Sequence, residues 1–358
     1  MKTDIKPAEA HVLVTGGTGF IGSRVVRELV RKGVRVRSLS HASRPSGVSA
    51  AADHEIVHGD IRDAAVVRRA VKGITHIAHL AARVSAWESD PLHFYNVNVG
   101  GTRSLLLAGL EEEVTAFVHV SSASAIEFRG DGILDERSIV RRTANLSDYG
   151  HSKALAEQEV LEAGNNGMST IIVYPTRVFG IGSLVDSNAA TRVLDLHLRG
   201  RMPVLPGMGK DYANWAYVED VASGVVRALF HGHPGNRYIL GGENTTLKEC
   251  FALADRLAGQ DRTMIPIPHA IGKMLVYAEE RWAHVAGRHP RLTTCWYESI
   301  FENVQLSCRR AIDDLGYSVT PLKEALAQVV EWLLQGTEDR KNPGNLARRA
   351  ASPSFNVD

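Results

Sequence analysis

HVLVTGGTGFIG, residues 11–22, runs from an apolar pentapeptide through three glycines into an amphipathic stretch. His11 to Thr15 reads as a buried strand, and Phe20 to Lys32 as a helix with Ile21, Val25 and Leu29 on one face. Gly16 suits the sharp turn between them, Gly19 lets backbone approach a pyrophosphate, and Gly22 lets helix and strand pack closely. The helix N-terminus then presents N–H donors and a partial positive charge to phosphate. Thr18, Phe20 and Ile21 complete the loop and are expected beside the same dinucleotide. A glycine triplet alone would also fit a tight turn without a ligand; its place between strand and helix favours the nucleotide.

Working outward, the same rhythm repeats. Val34 to Leu39, Glu55 to His58, Ile74 to His79, Ala116 to Val120 and Ser169 to Tyr174 read as strands. Pro91 to Leu110 and Asp148 to Ala163 read as helices, with Pro91 in a first turn. Such alternation predicts an α/β fold with a doubly wound parallel sheet of Rossmann type. After Pro175 the rhythm breaks, and Gly and Pro cluster between Gly180 and Lys210. A helix at Val218 to Phe230 and a strand at Tyr238 to Leu240 are expected to return to the sheet, and from Gly241 onward the chain reads as mostly helical. His269 to Val285 carries Ile271, Met274, Leu275, Ala278, Trp282 and Val285 at helical spacing, which predicts core packing, or else a lid over an apolar substrate. Thr320 is expected to cap a last helix from Pro321 to about Leu334, and the polar tail from Gly336 to be disordered.

Composition narrows the function. The 358 residues are 44% hydrophobic and 23% charged, with a formal net charge of +1, so no global field favours nucleic acid or an anionic membrane. The 3 cysteines, Cys250, Cys295 and Cys308, are odd in number and far apart, which suits neither a disulfide framework nor a metal site. Met1 to Ala10 lacks the apolar stretch of a signal peptide, and no apolar run approaches the ~18 residues of a spanning helix. A cytoplasmic protein acting on a small molecule is expected.

A dinucleotide site of the NAD type usually has an acid about 20 residues past the glycines, accepting from the ribose hydroxyls. Here Ser40 takes that position, and Arg37, His41 and Arg44 lie nearby. Guanidinium groups match a 2′-phosphate, so NADP is favoured over NAD, although surface arginines are often simply solvated. Asp60 and Ile61 follow the third strand, where a carboxylate can accept from the adenine amino group. Leu80, Ala81 and Ala82 close the fourth strand with side chains small enough to let backbone approach the cofactor.

Tyr149 and Lys153 stand four residues apart, on one face of a helix. An ammonium near a phenol favours the phenolate, bringing it toward use as a general acid or base, and can also hold ribose hydroxyls. Ser121 and Ser122 stand at the carboxyl end of the fifth strand, with Ser124 close by. A serine there can donate to a substrate carbonyl as its oxygen gains charge, or can merely cap the next turn.

Together these residues resemble the extended short-chain dehydrogenase/reductase, or NAD-dependent epimerase/dehydratase, family. The matching motifs are TGGTGFIG (15–22), GDIRD (59–63), HLAA (79–82), NVNVGGT (96–102), VSS (120–122), YGHSK (149–153), YPTRVFG (174–180) and YVEDVA (217–222), extended by RYILGG (237–242) and LGYSVTPLKEAL (315–326). Within the family the chain is similar to the dihydroflavonol reductase, 3β-hydroxysteroid dehydrogenase and hopanoid-associated sugar epimerase group. The resemblance implies a Rossmann domain over 1–180, with 211–240 returning to it, and a smaller substrate domain over 181–210 and 241–335, ahead of the tail at 336–358. It implies a Ser122–Tyr149–Lys153 triad, with Asn98 supporting the active site, Pro175 lining the nicotinamide, and a homodimer formed through the helices after the fourth and fifth strands. Sugar-nucleotide epimerases of this family carry their serine or threonine one place later, here Ala123, and a diphosphate-gripping arginine where this chain has Tyr212-Ala213-Asn214. Arg177, Arg192 and Arg201 are possible substitutes for it. A carbonyl reductase or alcohol dehydrogenase is therefore the leading expectation. A nucleotide-sugar epimerase or dehydratase with tightly held NAD, and a non-catalytic NAD(P) sensor or scaffold, are the alternatives. An apolar substrate pocket would draw on Met264 to Val285 with Trp215, Trp282 and Trp296.

Overall fold

The computed structural model describes residues 9–41, 54–85, 88, 90–128, 132–141, 147–288, 290, 293–294, 297–298 and 301–341. Arg44, Cys295, Trp296 and the tail past Lys341 lie outside them. The first half holds β1 (His11–Thr15), α1 (Gly22–Arg31), β2 (Arg35–Ser40), β3 (His54–His58), α2 (Ala64–Val71), β4 (His76–His79), α3 (Leu92–Tyr95), α4 (Gly101–Glu111) and β5 (Ala116–Val120). Three short strands, β6 (Ile126–Phe128), β7 (Ile133–Leu134) and β8 (Ile139–Arg141), precede α5 (Asp148–Asn165) and β9 (Thr170–Pro175).

A seven-stranded sheet of order β13-β9-β5-β4-β1-β2-β3, with β13 at Arg237–Leu240, is parallel throughout. This is the Rossmann-type sheet that the strand-helix alternation predicts. Side chains of β1 alternate between its two faces. Val12 and Val14 pack with Val25 and Leu29 of α1 and with Val221 and Val225, while Leu13 packs with Val67, Leu105 and Val160 from α2, α4 and α5. Burial on both faces is why the strand reads as a continuous apolar run. Strand order reverses between β1 and β4, which opens a crevice at their carboxyl ends.

The second half adds β10 (Arg177–Phe179), α6 (Ala189–Leu198), β11 (Val204–Pro206), β12 (Tyr212–Tyr217), α7 (Val218–His231), then β13, β14 (Glu243–Thr246), α8 (Leu247–Leu257), β15 (Ile265–Ile267), α9 (His269–Val285), β16 (Gln305–Leu306), α10 (Arg309–Leu315) and α11 (Leu322–Lys341). Among the described residues no helix is long and apolar enough to cross a membrane.

Several local expectations change. The helix read over Pro91 to Leu110 is broken between α3 and α4 by a π-helical turn at Asn96–Gly100. Residues 212–217 do not enter the main sheet: β12 pairs parallel with β10 and antiparallel with β14. Residues 308–317, assigned above to the substrate domain, instead pack on the Rossmann side, because Ala311, Leu315 and Tyr317 bury against α7 and β13 and the Tyr317 hydroxyl donates to the Gly241 carbonyl at 2.7 Å. Thr320 does not cap the last helix with its hydroxyl. It donates through N–H and Oγ1 to Asp220, both at 2.7 Å, and Glu243 accepts the Leu322 N–H at 2.7 Å. That helix continues through Gly336 to Lys341, past the predicted start of disorder. The stripe on α9 is not core: Met274 and Trp282 are each 61% exposed and Val285 is 80% exposed.

Candidate active site

The glycine loop is a cradle in which the positions of Gly16 and Gly22 admit no side chain. Gly16 sits at φ +70°, and a Cβ there would come within 2.8 Å of the Ala81 nitrogen. At Gly22 a Cβ would lie 2.1 Å from the Gly16 carbonyl oxygen, and at Gly19 it would lie 3.1 Å from the same atom. No side chain caps the start of α1, and Ile21 holds the N-cap position. A dinucleotide pyrophosphate fits a backbone-walled pocket at a helix N-terminus. From this loop a cavity of about 1290 Å³ crosses the carboxyl edge of the sheet and reaches α6 and α9.

Gly16, Thr18, Gly19, Phe20, Ile21 and Gly22 border the cavity, as do Ser40, His41, Asp60, Ile61, Leu80, Ala81 and Ala82. The Ala81 N–H donates to Thr15 Oγ1 at 3.1 Å, which fixes the loop after β4 against β1. Arg37 is a correction. Its guanidinium pairs with Glu55 at 2.7 Å and donates to the Ala70 and Lys72 carbonyls, so it binds the C-terminal end of α2 at the opposite edge of the sheet. Helix-end carbonyls attract a cation, and that pull sets its direction. Arg62, which the sequence reading passed over, borders the cavity instead and donates to Asp60 through Nε and Nη2, the latter at 2.6 Å. These hydrogen bonds hold the Asp60 carboxyl down to about 2. An acid and an arginine two apart in GDIRD was the available signal. Asn98 does not border the cavity. It lies buried in the π turn, accepts from the Arg83 N–H at 2.7 Å and donates to Ser152 Oγ at 2.8 Å, so it ties the loop after β4 to α5.

Ser122, Tyr149, Lys153 and Pro175 meet across the same cavity. Ser122 stands two residues past the end of β5, where its Oγ accepts from the Ser124 N–H at 3.2 Å and so also caps the following turn. Burial pushes the Tyr149 phenol above its ordinary value, and a hydrogen bond with Ser122 pulls the other way. Here the expectation changes: the Lys153 ammonium donates to the Val120 carbonyl at 2.8 Å and lies 3.3 Å from His119 Nε2, and it is Ser122 rather than the ammonium that lowers the phenol. Burial brings Lys153 down to about 8, while Glu157 pulls it back up. Behind it Glu157 accepts from the hydroxyls of Ser121 and, at 2.8 Å, Tyr174, so the Ser121 hydroxyl donates to a carboxylate. His119 and Glu157 were not singled out from sequence. Their positions on β5 and one turn past Lys153 were the signal.

The sequence profile of the NAD dependent epimerase/dehydratase family matches residues 12–241. The chain belongs to that family. It is an enzyme of the extended short-chain dehydrogenase type. It is 31% identical to a candidate dihydroflavonol 4-reductase of Synechocystis sp., over 89% of this chain and 93% of that one. It is 29% identical to a 3 beta-hydroxysteroid dehydrogenase/Delta 5-->4-isomerase of Mycobacterium tuberculosis, over 96% and 95%. Among solved structures, gox2253 superposes with a TM-score of 0.75 at 31% identity, over 91% of this chain and 98% of that one. A UDP-glucose 4-epimerase of Thermus thermophilus, solved in complex with NAD, shares the fold at a TM-score of 0.70 and 24% identity, over 90% and 98%.

In this family member Asn214, in the stretch 212–214 set against the epimerase arginine above, is an internal clasp. Its amide bonds Thr176 and Asn244, each at 2.9 Å, and the backbone of Gly242 and Leu306. Of the three arginines considered as substitutes, Arg177 borders the cavity with its guanidinium 5.3 Å from the Trp215 ring centroid, while Arg192 pairs with Asp186 at 3.1 Å.

Lys153 sets a pH dependence. Its ammonium form, a stronger hydrogen-bond donor than the neutral amine, is present below about 8 and is lost above. Affinity for NADH is therefore expected to be flat from pH 6.5 to 7.5 and to weaken by about fivefold by pH 9.5. Lys153→Arg, which stays charged, should flatten the curve in a fluorescence titration.

Proposed function

We propose that this enzyme transfers hydride between a nicotinamide cofactor and the carbonyl or secondary alcohol of an apolar small molecule. The observation that carries this reading is the meeting of Ser122, Tyr149 and Lys153 in the one cavity that also contains the glycine cradle. The cofactor, when bound, supplies or accepts the hydride. Ser122 holds the substrate oxygen, Tyr149 gives it a proton in reduction or takes one in oxidation, and Lys153 holds the ribose. Val178, Val185, Val193, Trp215 and Phe301 give the far end of the cavity apolar wall among the charged Arg177, Asp186, Lys273 and Glu298, and the names of relatives acting on steroids favour an apolar substrate.

The adenosine end favours NADP(H). The end of β2 offers Ser40 rather than a carboxylate, and His41 and Arg62 stand beside it. Arg37 has no part in this, and Arg44 lies outside the described residues. The proposed dimer face is formed by α4 and α5, and on α4 Leu107 is 56% and Leu110 is 40% exposed.

Titration with NADPH and NADH, followed by a screen of ketosteroids and other apolar ketones, tests the reading. Tighter NADPH binding that Arg62→Ala reduces by about tenfold is expected. Copurified NAD that does not exchange, with turnover only on nucleotide sugars, would replace the reading with epimerization.

A further inference from the structure

Two histidines lie buried in the sheet beside the triad. His79 on β4 and His119 on β5 are paired across the two strands, with ring centroids 5.3 Å apart. Hydrogen bonds settle the proton on His79. The Thr102 hydroxyl donates to the Asn98 carbonyl, so its oxygen accepts from His79 Nε2–H at 2.8 Å, and His79 Nδ1 accepts from the Thr15 hydroxyl at 2.7 Å. Burial, with Lys153 adding to it, brings His79 down to about 3, so the ring is neutral and both its nitrogens are used. His119 differs. Its Nε2 lies 3.3 Å from Lys153 Nζ, and its Nδ1 has no hydrogen-bond partner among the described residues.

Charge settles the proton on His119. Burial, with Lys153 and His79 adding to it, pushes His119 well below its ordinary value, so this ring too is neutral and carries one proton. An ammonium has donors and no acceptor. Nε2 therefore accepts from Lys153, and the His119 proton sits on Nδ1, where nothing meets it. An orphan N–H in a core is unfavourable, and a leucine or phenylalanine would fill the place without one. What the imidazole adds is a lone pair beside the ammonium. The Val120 carbonyl takes a second Lys153 N–H at 2.8 Å. Of the three ammonium donors, one is left for a ligand in the cavity that Lys153 borders.

We propose that His119 is a positioning residue for Lys153: with the Val120 carbonyl it takes two N–H groups of the ammonium, so that the third is kept for the ribose hydroxyls of the cofactor. The other groups around Lys153 act differently. Glu157, on the same helix, acts on it by charge while its oxygens accept from Ser121 and Tyr174, and Arg237 of β13 acts on Glu157 in turn. Tyr149 shares its hydrogen bond with Ser122, and His79 has both nitrogens engaged. The proposal rests on the reading of Lys153 as the ribose-holding group and is independent of which substrate reacts. A lone pair at Nε2 favours the charged form of Lys153, so its removal lowers the pH at which the ammonium is lost.

Nitrogen-15 NMR of the histidine-labelled full-length protein, without cofactor, reads the tautomers. The His119 signal, identified by its loss in His119→Gln, is expected in the Nδ1–H form at neutral pH. An Nε2–H form cannot accept from Lys153 and overturns the proposal. NADH titrations across pH then separate positioning from packing. His119→Phe should move the midpoint of the affinity profile down by about one pH unit and weaken binding at pH 7.5 by about threefold. His119→Gln, whose amide oxygen accepts, should stay near the parent. Weakening at every pH with an unmoved midpoint, or equal loss in both variants, would show a packing role and overturn the proposal. Lys153→Met tests the reading beneath it. Unchanged NADH affinity in that variant would remove Lys153 from the cofactor site and the proposal with it. A loss with Lys153→Met and none with His119→Phe would leave Lys153 in its role and remove His119 alone.

Discussion

Tyr149→Phe is expected to lower turnover by about 10²–10⁴-fold, leaving cofactor affinity and thermal unfolding near those of the parent. The ring stays: it is half-buried, with its centroid 6.2 Å from that of Phe94, and phenylalanine keeps that contact. What goes is the hydroxyl that shares a hydrogen bond with Ser122 and lines the cavity between the glycine cradle and the far end. Burial holds that phenol above its ordinary value, so it enters the reaction protonated and suits the donor role in carbonyl reduction. Steady-state kinetics with a ketone found in the screen, alongside a cofactor titration, checks the split. Full turnover by the variant would remove Tyr149 from the mechanism.

Gly22→Ala should be the most damaging single methyl group in the chain's nucleotide loop. The new Cβ would meet the Gly16 oxygen at 2.1 Å, the Gly16 carbonyl carbon at 2.8 Å and the Gly17 Cα at 3.1 Å. All three are backbone, so no side chain can swing aside, and either the loop opens or α1 shifts away from β1. A loss of at least about 2 kcal/mol in unfolding free energy is expected, with NADH affinity down by at least about tenfold. Gly100→Ala is the control. It lies in the π turn at φ −60°, and the nearest atom to its Cβ would be the Tyr95 oxygen at 4.0 Å. Denaturant melts and fluorescence titrations of both variants give the comparison, and equal behaviour would sink the steric argument.

The parts of the site legible in sequence are those whose geometry is local. Glycines at 16, 19 and 22 are read from spacing because each is needed by a backbone approach within the same turn. Tyr149 and Lys153 share a helix face by periodicity alone. Arg37 was misread because a strand residue fixes which face its side chain leaves from, not which end of the sheet a long side chain reaches; Glu55 and the carbonyls at the end of α2 decided that. Lys153 was placed on the right face, yet its ammonium answers to the Val120 carbonyl and to His119 on a strand more than thirty residues earlier.

By itself, then, the sequence determined the doubly wound sheet, the glycine turn between β1 and α1 and the shared helix face of Tyr149 and Lys153, because periodicity and turn chemistry act over a few residues. Tertiary structure alone decided that β12 leaves the main sheet, that 308–317 joins the Rossmann core and that α9 faces outward. Helical spacing shows that a helix has an apolar face. Whether that face is covered depends on neighbours distant in the chain, and for α9 the packed side is the one built on Gly272 and Ala283.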